Sequence, residues 1–155
     1  MLFRSVFLDR FTKWMAEIYL KGNQRIGFLN DMFILTYAEN TGAFLSLGRN
    51  WPILLKYVLL LVIPIIICVY VFVYCLIKEK DKLRIVLLIS IIAGGIGNLF
   101  DRIFNDFTVI DFMNFGIGKI RTGILNIADL SVTFGVIVLI IYEIRKRNKF
   151  KNSLQ

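Results

Sequence analysis

Polar and apolar positions fall along this chain in long blocks. Residues 51–77, 85–104 and 125–144 are dominated by apolar side chains. Each block reaches about the 20 residues that carry a helix across a hydrocarbon layer roughly 30 Å thick. Residues 1–20 form the weakest such block, because Arg4, Asp9, Arg10, Lys13 and Glu17 interrupt it. Two readings stay open there: an amphipathic helix in the membrane interface, or a short first span whose inward face carries a charged pair. Asp9 and Lys13 stand four apart, so on a helix they share a face and can pair.

Between the blocks the pattern changes. Residues 21–50 are polar and glycine-bearing, with β-prone FILTY at 33–37 and an NTGAF turn at 40–44, which predicts a small strand or cradle outside the lipid. Residues 78–84 form a short basic turn, and 105–123 a second extramembrane loop. Pro52 suits a first helical turn, Pro64 predicts a mid-span kink, and Trp51 and Tyr57 suit the interfacial aromatic belt. Ala93, Gly94, Gly95 and Gly97 permit close helix approach. The whole predicts one domain over 1–155: an all-α membrane protein of four transmembrane helices (about 1–20, 51–77, 85–104 and 125–144), with a small extracytoplasmic β-cradle and an outer loop.

Composition supports this. The chain is 57% hydrophobic, above the roughly 45–50% of soluble domains, and its mean hydropathy is +0.71. The net charge of +8 raises nucleic acid as a partner, but the positions of the charges argue against it. Lys78, Lys80, Lys82 and Arg84 sit between two apolar blocks, and Arg145, Lys146, Arg147, Lys149 and Lys151 follow the last. Basic residues distribute this way on the cytoplasmic side of a membrane, and no aromatic–basic alternation marks a base-stacking surface. The C-terminus is then cytoplasmic, as is the N-terminus if the first block spans, and loops 21–50 and 105–123 lie outside. Cys68 and Cys75 are seven apart, about 10 Å on a helix, too far for a disulfide. With no histidine, serine–histidine catalysis and histidine-based metal sites are excluded.

Against this background the polar residues between 94 and 133 stand out, since a charge at a helix centre costs roughly 2.5–3.5 kcal/mol. Asn98, Asp101 and Arg102 share one helical face. Asp101 reads as half of a structural Asp–Arg pair tying the helix end to a loop, and Arg102 as a fork able to orient a carboxylate. Asp111 sits among apolar neighbours in VIDF, and Asp129 one turn after Asn126 at the start of the last block. Taken singly, Asp111 is a turn or cap residue and Asp129 a helix N-terminal charge. Taken together, they form a pair that can meet at the lipid boundary. Two carboxylates in a partly dry site share a proton, so one serves as base and the other as acid. That is the chemistry of an aspartic peptidase, and it needs no cofactor and no metal. The same carboxylates would also serve a proton- or cation-coupled carrier, but they cluster at one boundary instead of forming a relay, and no inverted repeat is evident.

NTGA (40–43), NLFDR (98–102), VIDF (109–112) and NIAD (126–129), in this order and layout, resemble the bacterial lipoprotein signal peptidases, signal peptidase II. Asp9, Thr12 and Lys13 match that family's Asp-x-x-Thr-Lys element. The resemblance implies an intramembrane aspartyl endopeptidase of the bacterial cytoplasmic membrane, with its site near the outer face. Its substrates would be diacylglyceryl-modified prolipoproteins, cut before the lipidated cysteine, and globomycin-like cyclic peptides would inhibit it. The implied catalytic dyad is Asp111 and Asp129, supported by Asn40, Gly42, Asn98, Arg102, Asn126 and Ala128, with Asp9 and Lys13 as a structural polar pair. Three features depart from the family pattern: a first helix short before Asp9, Phe44 in place of a small residue, and Leu130 in place of a small or hydroxyl residue. None touches the pair; an inactive precursor-binding paralogue is the remaining alternative.

Overall fold

A computed structural model of the chain describes residues 2–23 and 25–152. Among the described residues, four long helices, a short 3₁₀ turn at Phe44–Ser46 and one antiparallel sheet make up the fold. Helix α1 runs over Leu2–Leu20, α2 over Ile53–Ile77, α3 over Lys82–Phe104 and α4 over Ile127–Asn152. By length and apolar content α2, α3 and α4 are able to cross a membrane. In α2 the expected disturbance at Pro64 takes the form of a widened π turn over Val58–Val62. The physical cause is Pro64 itself, which has no N–H to close an ordinary turn onto Leu60.

Helix α3 is the hub, packing on α4, α1 and α2. Its glycines allow this closeness. A Cβ on Gly94 would lie 2.5 Å from the Ala128 carbonyl oxygen, and one on Gly97 would lie 2.6 Å from Asp9 Oδ2. At its start, Asp81 caps α3 by accepting from the N–H groups of Leu83 and Arg84.

The body is mostly helical, and its sheet is larger than the small β element expected over 21–50. Strands β1 (Ile26–Phe28), β2 (Phe33–Asn40), β3 (Val109–Ile117) and β4 (Ile120–Leu125) pair antiparallel in that order. The stretch expected as a loop over 105–123 is thus largely a hairpin, turning at Gly118, whose φ of +56° suits glycine. Val109 through Met113 are all buried, so this stretch forms a covered strand. Phe112 and Met113 pack with Ala16 and Leu20 of α1, which seats the sheet on the helices. Two span boundaries shift as well: residues 125–126 belong to the strand and its exit, and α4 continues as a helix through the basic tail to Asn152.

Candidate functional site

Asp111 lies on β3 opposite Ala38 of β2, and Asn40 two residues further along β2 pairs with Val109. This diagonal placement lets Asn40 Nδ2 donate to Asp111 Oδ2 at 3.0 Å. Asn126 Nδ2 donates to the other oxygen, Oδ1, at 2.6 Å. Asp111 is only 2% exposed. Burial first, and the charge of Asp129 second, push its carboxyl up to about 6 despite these two donors.

Asp129 stands in the first turn of α4, where Asn126 precedes the helix as its cap. Asn126 Oδ1 accepts from the Asp129 N–H at 2.9 Å, and Asp129 Oδ2 accepts from the Asn126 N–H at 3.2 Å. This is a reciprocal capping box, with aspartate in the position glutamate usually takes. Asp129 Oδ1 accepts from Asn98 Nδ2 of α3 at 2.8 Å. Asn126 therefore donates to both carboxylates, to that of Asp111 from its side-chain amide and to that of Asp129 from its backbone N–H. The two carboxylates also line one cavity of about 30 Å³, together with Asn40, Asn98, Arg102 and, on the apolar side, Phe44 and Leu45. That is room for one or two waters.

Beneath lies a fully buried ion cluster. Lys13 Nζ pairs with Asp9 Oδ2 at 2.8 Å and Asp101 Oδ2 at 2.7 Å, and donates to Asn98 Oδ1 at 3.0 Å. An ammonium only donates, so Lys13 holds the Asn98 oxygen toward itself and leaves the amide NH2 for Asp129. Asp9 Oδ1 accepts from the Ala128 N–H at 2.9 Å, tying α1 to the turn that carries Asp129. Asp101 does not pair with Arg102, as the sequence led us to expect. Its partners are Lys13 and Arg10 of α1, because the i+3 position from Asn98 turns it toward α1. Arg102 instead donates from Nη2 to the Gly42 carbonyl at 2.9 Å, and its Nε is buried without a hydrogen-bond partner. The Gly42 N–H in turn donates to Asn40 Oδ1 at 2.9 Å, closing the 40–43 turn.

Every residue expected to form the dyad or its polar support thus falls within one connected network. Arg10 and Leu45 are not expected there from sequence, and Phe44 is expected only as a departure from the family pattern. Arg10 was hidden by its place beside Asp9, and the two apolar residues carry no chemical signal. Of the two departures from pattern downstream, Phe44 lines the cavity, whereas Leu130 packs on the Ala16–Leu20–Phe112–Met113 cluster.

A sequence model of the family described as Signal peptidase (SPase) II matches residues 1–145. The chain belongs to the signal peptidase II family. A relative in Borrelia duttonii, named lipoprotein signal peptidase, is 41% identical over 95% of this chain and 89% of its own length. The lipoprotein signal peptidase of Borreliella burgdorferi is 34% identical over 96% of this chain and 89% of its own. A solved structure described as a bacterial membrane enzyme superposes with a TM-score of 0.81 at 27% identity, covering 96% of this chain and 87% of that one. Membership makes the chain a peptidase with a membrane-embedded body, in keeping with its three long apolar helices.

Proposed function

We propose that this chain is an intramembrane aspartyl endopeptidase that removes signal peptides from diacylglyceryl-modified bacterial prolipoproteins, cutting before the lipidated cysteine. The observation that carries the reading is the pair Asp111 and Asp129, linked through Asn126 and facing one water-sized cavity. The substrate class comes from the names of the relatives.

In this mechanism the two carboxyls hold one proton between them and titrate as a pair. The ionised member takes a proton from a water in the cavity as its oxygen adds to the scissile carbonyl carbon. The protonated member gives its proton to the carbonyl oxygen, forming a tetrahedral diol. Collapse of the diol breaks the C–N bond: the departing cysteine amine takes the proton held by the pair, and one diol hydroxyl returns its proton to the ionised carboxylate as the new carboxyl group forms. Arg102, through its free Nε, would hold the substrate backbone together with Asn40 and Asn98, while Gly42 and Ala128 keep the neighbouring backbone close. Lys13, Asp9 and Asp101 position this shell without touching substrate.

The same reading makes α1 a fourth span, joins residues 1–155 in one domain, and puts both termini in the cytoplasm with the site at the outer boundary of the cytoplasmic membrane. The diacylglyceryl chains then remain in lipid while the peptide bond reaches the carboxylates. Globomycin-like cyclic peptides would compete for the same cavity.

The test is direct. The purified chain in detergent or nanodiscs should convert a diacylglyceryl-modified precursor to mature lipoprotein and free signal peptide, leave the unlipidated precursor intact, and be blocked by globomycin. Equal cleavage of both precursors would overturn the substrate assignment.

A further inference from the structure

The end of the helices remote from the candidate site carries a second organised feature. Glu79, Asp81 and Glu143 are the acidic residues there, and each is already engaged. Arg84 pairs with Glu79 at 3.0 Å and grips Glu143 with Nε and Nη2, both at 2.7 Å. Lys146 pairs with Asp81 at 2.7 Å, and Tyr142 donates to the same Asp81 oxygen. Tyr74 donates to Glu79 at 3.0 Å. This clasp binds the 78–82 turn to the lower part of α4.

It also uses up every local negative charge. Lys78, Lys80 and Lys82 on the turn and at the start of α3, and Arg145, Arg147, Lys149 and Lys151 on α4, are all exposed, and among the described residues no acidic side chain pairs with them. Nine cations against three acids put +6 of the chain's +8 at this one end. The α4 rod of 26 residues is about 39 Å long, against a hydrocarbon layer of roughly 30 Å, so its last turns stand at the headgroup level. The clasp holds the turn's lysines beside those turns.

We propose that the turn and the end of α4 form a binding site for anionic phospholipid headgroups. The charge is too concentrated to serve only as a mark of orientation, and it is presented where lipid phosphates lie. The acids that would otherwise compete for these cations are locked away by Arg84 and Lys146. The ligand is a lipid and not a soluble polyanion, because the cations flank the emergence of apolar helices and so face the plane of the headgroups. This site is independent of the peptidase reading.

Spin-labelled phosphatidylglycerol and phosphatidylcholine, compared in bilayers containing the full chain, provide the test. Phosphatidylglycerol should be immobilised at the protein surface at least about threefold more than phosphatidylcholine in low salt, and the preference should fall as salt rises. The variant Arg145→Gln/Arg147→Gln/Lys149→Gln/Lys151→Gln should lose most of the preference, and Lys78→Gln/Lys80→Gln/Lys82→Gln should lose part of it. The second variant decides the matter if the first fails to insert. Arg84→Gln, which opens the clasp, should weaken the preference although it removes none of the seven exposed cations. No preference in the wild type, an unchanged one in the charge variants, or binding of a short RNA or acidic peptide in place of the lipid would overturn the proposal.

Discussion

Helices α1 and α2 are both helices of about membrane length, and they are built in opposite ways. Helix α2 is apolar on every side, and only Leu60 and Cys75 along it are buried. Helix α1 turns its charge inward: Asp9 and Lys13 are buried with Ala16 and Leu20, while Phe3, Phe7, Phe11 and Trp14 face outward. Those four rings form a ladder with centroids 6.5, 6.2 and 6.1 Å apart. An average over all residues therefore rates α1 a poor lipid helix, although an aromatic stripe runs along its outward side between the exposed Arg4 and Glu17. The lesson is that Asp9, Arg10 and Lys13 of α1 belong to the floor of the site, whereas α2 has little to do with that floor.

Removing one lysine from each helix should break this contrast most sharply. Lys13→Met leaves Asp9 and Asp101 buried with Arg10 as the remaining cation, and should cost about 3–5 kcal/mol or prevent accumulation of folded protein. Lys56→Met in α2 should change stability by no more than about 0.5 kcal/mol. Thermal unfolding in detergent compares the two, and equal losses would mean that the ion cluster does not hold α1.

The two faces of α3 sharpen the contrast on a smaller scale. Gly97 faces α1, and a Cβ there would sit 2.6 Å from Asp9 Oδ2 and 3.2 Å from the Ala128 Cβ, within the packed floor. Gly97→Ala should destabilise by roughly 1–3 kcal/mol and slow cleavage. Gly95 faces α2, where the nearest atom to its Cβ is Cys68 Sγ at 3.1 Å. There the gain in helix propensity, up to about 1 kcal/mol, offsets the crowding, so Gly95→Ala should be close to neutral.

The smallest effect concerns pH. The Asp111 carboxyl is raised to about 6 in the folded chain, above its value of roughly 4 in an unfolded one. The folded state thus favours the protonated carboxyl. This contribution to stability is fully present below about pH 4 and is lost as pH climbs through 6. Asp111→Asn stays neutral, so above pH 6 it should be more stable than wild type by on the order of 1 kcal/mol. Melting curves at pH 4 and pH 8 should show the gain only at pH 8. The same logic predicts that Asp129→Asn, by removing a nearby charge, lowers the pH at which Asp111 titrates.

Much of this was legible before any coordinates. Block lengths gave the apolar helices, and the i, i+4 spacing of Asp9 and Lys13 gave their pair. What escaped depended on contacts across the fold. The hairpin over β3 and β4 looked like a loop because its strand residues are interrupted by Asp111 and Asn114, whose partners lie on β2, β4 and Asn126. Asp101 was assigned to Arg102 because they are neighbours in sequence, but adjacent helical residues point about 100° apart. Asn126 is expected from sequence only as a supporting residue of the pair. Its role as both cap and bridge shows only once α4 meets β3.

One measurement tests the central claim most directly. Asp111→Asn and Asp129→Asn, each shown to be folded by its melting curve, should be assayed on a diacylglyceryl-modified precursor beside the wild-type chain. The account predicts that each substitution lowers turnover by about 10²–10⁴-fold with little change in precursor binding. Cleavage by either variant at close to the wild-type rate would contradict it.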